Sequence, residues 1–522
     1  MKRRSVLVWL LMTPELRAGE LSLHPGFADG MVVQAGQPLP VFGSAPPGVE
    51  ISLSFRGHKV WTQADRQGSW RVVLPPLSVD GTGSSLRITA DGATREIRDV
   101  LTGEVWLCAG QSNLEFPLRQ AASWAEDRQR KPNPFLRLCD IPHPLRGAGA
   151  TALSSSVRQR LEPAHYFAPP VWRASNGAED GGFSAVAWHF GQALQESLQV
   201  PVGLIQAAVG GSPAEAWMDP DRLATSTSGA DLLAPAWLDN PLLDPWCRQR
   251  ARAHLAFRNG SADPPHPAHP YQPGFLFRAL FTRLGQPALR GVVWYQGESN
   301  ALDYPAAPDP AWRVHQHESL FPRLLADWRR ALALPTLPFL VCQLSAIRTN
   351  HYASAHWPEF RDQQRRLVHA DGKAALVVTS DLGDPHDVHP RRKREVGLRL
   401  ATAARHAVYR LSPHPCHPEP LRAERQGQAV FLHFRGNRGG WELPTRPADS
   451  PFELGDAQGR WQPAPVSVVD DHTLRLCAAD LDPPTLVRHA WQPFPLRQAR
   501  GGQGQPVGTF RLALDASNPQ PK

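Results

Sequence analysis

The chain has 522 residues, 42% of them hydrophobic and 20% charged. That balance excludes the disordered and fibrous classes, and the length exceeds one hydrophobic core at about 150 residues per domain. The net charge is +8, and only six of the 56 basic residues are lysine. No basic stripe interleaved with aromatics accompanies this excess, so nucleic-acid binding is not expected.

Met1-Lys2-Arg3-Arg4 precedes an apolar run from Ser5 to Met12. That is the order of a secretory signal peptide, with cleavage near Ala18-Gly19, so residues 1–20 read as a leader and the mature protein as periplasmic or secreted. No later run approaches the roughly 18 apolar residues of a membrane span, and stable membrane insertion is not expected. The six cysteines are widely spread without C-x-x-C spacing, which gives neither a zinc site nor a compact disulfide framework.

Residues 21–99 read as an all-β module. Val49, Ile51, Leu53 and Phe55 alternate with Glu50, Ser52, Ser54 and Arg56, the period of a half-buried strand. Turns at Pro46-Pro47-Gly48 and Gln67-Gly68 introduce this strand and the next, Trp70 to Leu74. From 100 to 410 short apolar runs alternate with helical stretches, which implies a parallel sheet. The expected strands are 105–107, 202–205, 292–294, 339–341 and 377–379; the expected helices are 185–198, 320–332 and one starting at Pro390. The stretch of about 222–273 reads as a long loop-rich insertion, and prolines around His266 and His269 argue against a metal site there. From 411 to 522 the pattern returns to β, with strands at 430–434, 473–476 and 487–491.

Four motifs carry chemistry. Gly110-Gln111-Ser112-Asn113 follows the apolar run from Val105 to Ala109, placing a serine at the carboxyl end of a strand, where open α/β sheets bind ligands. Ser112 and Glu115 stand in the spacing of a capping box. Gly210-Gly211-Ser212-Pro213 lets a backbone N–H approach a ligand closely, with Ser212 as the cap of a following helix. Gln296-Gly297-Glu298-Ser299-Asn300 offers two amide donors for an oxyanion and a carboxylate that would orient a histidine. Asp381, Asp384, His386, Asp387 and His389 then crowd ten residues, and a nucleophilic serine needs a histidine base held by a carboxylate. Calcium binding is disfavoured there by the proline and histidines.

The segments at 103–113, 294–300 (Trp-Tyr-Gln-Gly-Glu-Ser-Asn) and 387–390 (Asp-Val-His-Pro) resemble the sialate O-acetylesterase family of SGNH-type carbohydrate esterases. The likeness extends to residues 29–34 and 487–491, and so covers almost the whole chain. It implies an α/β fold: an SGNH, flavodoxin-like, three-layer α/β/α catalytic domain between N-terminal and C-terminal β-sandwich-like domains. It also implies Ser112 as nucleophile and His389 as base. The oxyanion hole would be the N–H groups of Ser112 and Gly210, helped by Gln296 or Asn300. Asp387 and Glu298 both stand as partners of the histidine, with Asp384 in reserve. Gln111 and Arg348 are candidate substrate contacts, the latter as a grip on a sialic acid carboxylate. Two departures bear on substrate preference: Val209 replaces a tryptophan, and Phe275-Leu276-Phe277-Arg278 replaces a tyrosine–asparagine–glycine–methionine motif.

The expected activity is removal of O-acetyl groups from sialic acids without metal or organic cofactor. An acetylxylan or other polysaccharide deacetylase is the nearer alternative, and a noncatalytic glycan-binding protein the rival of another class.

Overall fold

One long strand, Ala93–Gly110, joins the first half of the molecule to the second. The structure, a computed structural model, describes residues 20–515 except 227–228, 257–266, 413–416, 478–480 and 482. The expected leader and His266 lie outside the described residues. Residues 94–102 of the long strand pair antiparallel with Asp80–Ala90, and residues 101–103 run parallel to Val32–Gln34. Its second half becomes the centre of a parallel sheet, with Val202–Ala208 on one side and Gly291–Tyr295 on the other. Phe339–Cys342 and Ala374–Val377 extend the sheet in parallel beyond Gly291–Tyr295. Asn133–Asp140 adds a parallel strand at the opposite side, and Val171–Ser175 closes that side antiparallel.

The central strands are apolar throughout because both faces are covered. Successive residues feed different cores: Val105, Leu107, Ala109, Val292 and Trp294 pack in one cluster. Trp106, Cys108, Val293 and Tyr295 pack in another. The first cluster takes in the helices Phe275–Leu284 and Trp312–Ala331, the second Ala185–Leu198 and Lys393–Ala407. Each fully buried side chain of this size contributes about 2–3 kcal/mol. A separate eight-stranded sheet follows from Glu419 to Asp515 and carries its own core, including Phe434, Phe452, Val487 and Phe510.

The expected helix 185–198 matches Ala185–Leu198 end for end. Other boundaries moved. The helix expected at 320–332 begins at Trp312 and runs through Pro322. Its first two turns look polar, but Arg313 is fully buried because Glu215 accepts from its guanidinium at 2.9 Å. The strand expected at 377–379 is Ala374–Val377, and the last helix starts at Lys393, one turn after Pro390. The strands Asn133–Asp140 and Val171–Ser175 were not anticipated, since arginines and prolines interrupt their apolar pattern. Stretch 222–273 holds part of a short helix, Pro220–Ala224, and a longer one, Pro245–Leu255.

Candidate active site

Register brings the motifs together. Gly110 lies opposite Ala208 on one neighbouring strand and Tyr295 on the other. The segments containing Ser112, Gly210 and Glu298 therefore leave three adjacent strands at the same carboxyl edge. Gly110 is required there: its φ is +144°, and a Cβ would lie 2.1 Å from the Tyr295 carbonyl oxygen. The side-chain oxygen of Gln111 accepts from the Gly297 amide at 3.2 Å, which ties the first motif to the third.

Ser112, Gly210, Glu298, Asp387 and His389 line one cavity of about 790 Å³, with Gln111 and Glu115. Ser112 opens a four-residue helix, Ser112–Glu115, whose N-cap is Gln111 rather than Ser112. The capping box is thus not formed. Glu115 instead accepts from the Gly210 amide at 2.7 Å, and its other oxygen lies 3.1 Å from His143 Nε2. Ser212 likewise does not cap a helix through its side chain; its hydroxyl donates to the Val209 carbonyl at 2.7 Å and accepts from Trp217 Nε1 at 2.9 Å.

His389 is the half-buried base candidate. Partial burial and the positive charge of Lys393 lower its pKa below 6.5, against the opposing pull of Asp387 and Glu115. Its Nδ1 lies 3.6 Å from Asp387 Oδ1, beyond a well-formed hydrogen bond but within ion-pair range. The same carboxylate accepts from the His389 backbone N–H at 2.8 Å and so shapes the turn.

Glu298 is held differently. It is buried beneath the cavity and accepts from Asn113 Nδ2 at 2.5 Å, while the same amide nitrogen donates to the Val388 carbonyl at 3.0 Å. The Asn113 carbonyl oxygen accepts from Lys393 Nζ. Burial raises the Glu298 pKa, opposed by the Asn113 hydrogen bond, and burial pushes the Lys393 ammonium down to about 7, opposed by Glu298. Glu298, Asn113 and Lys393 form one buried polar chain under the residue that precedes His389. Lys393 stands in the basic run 391–394, whose sequence alone gives no sign of burial, yet it is 1% exposed.

Several expected site residues are not brought to this chemistry. Gln296 donates to the Ser212 carbonyl at 3.3 Å and to Asn300 Oδ1 at 2.7 Å. Asn300 donates to Glu215 at 3.0 Å and accepts from the Ala214 amide at 2.9 Å. These amides are spent on a buried framework, so the oxyanion role expected of them has no support in this geometry. Arg348 is exposed, stands over the Phe494 ring at 5.7 Å and is not among the residues lining the cavity. Asp384 accepts from the amides of His386 and Asp387. His386 pairs with His351 at 2.8 Å, and Asp381 is held by Arg399 and Arg500.

Residues 270–406 match the family model of carbohydrate esterases described as sialic acid-specific acetylesterases. A sialate O-acetylesterase of Rattus norvegicus is 27% identical over 507 residues, covering 87% of this chain and 86% of that protein. The Homo sapiens sialate O-acetylesterase is 26% identical over 498 residues, 87% of this chain and 84% of its own. Among solved structures, a carbohydrate acetylesterase from Xanthomonas citri superposes with a TM-score of 0.73 at 28% identity, covering 94% of this chain and 99% of that one. The resemblance drawn from the motifs is borne out.

Proposed function

We propose that this chain, a carbohydrate esterase related to sialate O-acetylesterases over most of its length, removes O-acetyl groups from sialic acids through an acetyl-enzyme. The observation that carries the reading is the shared cavity of Ser112, Gly210 and His389, in a chain whose relatives are sialate O-acetylesterases.

In this reading Ser112 Oγ attacks the acetyl carbonyl carbon as its proton passes to His389, whose lowered pKa keeps the ring neutral near pH 7. The N–H groups of Ser112 and Gly210 receive the developing oxyanion. A helix-opening N–H has no intrahelical acceptor, which leaves that of Ser112 available. The Gly210 N–H donates to Glu115 at 2.7 Å, and in this reading the carboxylate turns aside for the substrate oxygen to accept from it. The bond to the sugar oxygen then breaks, and that oxygen leaves with the proton from His389. Water, deprotonated by the same imidazole, releases acetate and restores Ser112.

Asp387 is the carboxylate that faces the imidazole, and Glu298 anchors the loop through Asn113. The likeness to the family supports an SGNH three-layer catalytic domain over 100–410, flanked by β-sandwich-like domains over 21–99 and 411–522. The basic-then-apolar order of residues 1–12 supports export.

Substrate choice is checked by acetate release from mono-O-acetylated sialic acids and from acetylated xylan. Clear turnover of the sialic acids is expected. Turnover of xylan alone would reassign the substrate, and wild-type protein inert on both would favour a glycan binder.

Lys393→Met tests the electrostatics. The ammonium disfavours a second positive charge on His389, so its removal raises the imidazole pKa. The acid limb of the kcat/KM profile, which reports protonation of that base, is expected below pH 6.5 in the wild type and at higher pH in the variant. An unmoved limb would show that Lys393 does not act on the base.

A further inference from the structure

Four guanidinium groups line the cavity: Arg119, Arg146, Arg173 and Arg250. Two are neutralised where they stand. Arg146 donates to both oxygens of Asp140 at 2.7 and 2.8 Å, and Arg173 pairs with the fully buried Asp180. Arg119 is exposed and donates to the Gly181 carbonyl at 3.4 Å. Arg250 differs from all three. It is half-buried on the helix Pro245–Leu255, and its guanidinium stands over the Trp246 ring at 5.5 Å. Its Nε is buried with no hydrogen-bond partner; its guanidinium meets the Tyr271 hydroxyl, and among the described residues no carboxylate forms an ion pair with it.

A half-buried guanidinium without an anion is costly unless something completes it, because its hydration is partly lost and the neutral Tyr271 hydroxyl beside it supplies no countercharge. Its surroundings define where an anion would sit. A Cβ on Gly211 would meet the Trp246 ring at 2.9 Å, so the indole packs directly on the glycine pair. Tyr271, which interacts with Arg250, donates its hydroxyl to the Gly210 carbonyl at 2.9 Å. Arg250 and the Gly210 turn are therefore linked through one indole ring and one phenol, and both line the same cavity.

We propose that Arg250 is the specificity residue that binds the carboxylate of the sugar while its acetyl ester lies at Ser112. The inference rests on the sialate reading and adds the grip that reading needs: a sialic acid carries its carboxylate and its acetyl esters on different carbons. An anion site set apart from the acyl site by one aromatic wall suits that separation. A planar guanidinium standing over an indole can present a fork to both carboxylate oxygens. Arg250 thus replaces Arg348 in the role expected from sequence.

The test compares one O-acetylated sialic acid with its C1 carboxamide, which keeps the size and removes the charge. Wild-type protein is expected to favour the acid roughly ten- to a hundred-fold in kcat/KM, the range of a charge-assisted hydrogen-bonded pair, mostly through KM. In Arg250→Met the preference is expected to fall towards one, and Arg250→Lys to keep part of it. Because the readout is a ratio within each protein, loss of folded material cancels. A wild type without preference for the acid, or a methionine variant that keeps it, overturns the inference while leaving the deacetylase reading intact. Failure of the wild type to deacetylate either compound overturns both.

Discussion

Ser112→Ala is expected to lose on the order of 10⁴-fold or more in kcat, with the fold unchanged. The loss is large because the acetyl-enzyme forms on this hydroxyl, whereas Ser299, which also lines the cavity, donates its hydroxyl to the Gly211 carbonyl at 3.0 Å; the residual rate comes from binding and backbone donors. The substitution is small. Ser112 makes no side-chain cap on its short helix, so deleting the hydroxyl leaves the helix start intact. Acetate release at saturating substrate, with thermal unfolding as the control, checks both halves. Retained turnover would remove Ser112 from the reaction.

His389→Ala is expected to match that loss to within about tenfold, since a serine hydroxyl without a base is a weak nucleophile at neutral pH. The other described histidine that lines the cavity, His254, is engaged by His269 and the Gly149 carbonyl. His386 is engaged with His351, and His143, which does approach the cavity wall, is buried between Glu115, Tyr166 and the Ala208 carbonyl. The loss should appear in kcat rather than KM, because the imidazole acts on the proton in flight rather than on the bound sugar.

What the sequence made legible follows from local physics. Apolar runs ending in glycine or polar motifs located Ser112, Gly210 and Glu298 at strand ends, because a buried strand and its turn are both written in consecutive residues. The crowding of histidines and aspartates located His389 and Asp387 for the same reason. What escaped depends on contacts distant in sequence. Gln296 and Asn300 looked like free donors until Glu215, Ala214 and Ser212 were seen to engage them. Glu115 was read as a cap because its spacing to Ser112 fits one, whereas the Gly210 amide, 95 residues away, is what holds it. Lys393 sits in a basic run that reads as solvated, and only the buried Asn113 and Glu298 explain its place in the interior. Arg250 was hidden by abundance: in an arginine-rich chain only its place in the cavity without a carboxylate partner among the described residues distinguishes it.

The claim on which the rest depends is that Ser112 and His389 work as one unit. It is tested most directly by kcat of the two alanine variants and of the double variant on a single substrate. Groups that act together give a double variant no slower than the worse single one, so near-equal losses in all three are predicted. A double variant slowed by the product of the two single losses would mean that the hydroxyl and the imidazole serve separate steps, and the account would be wrong.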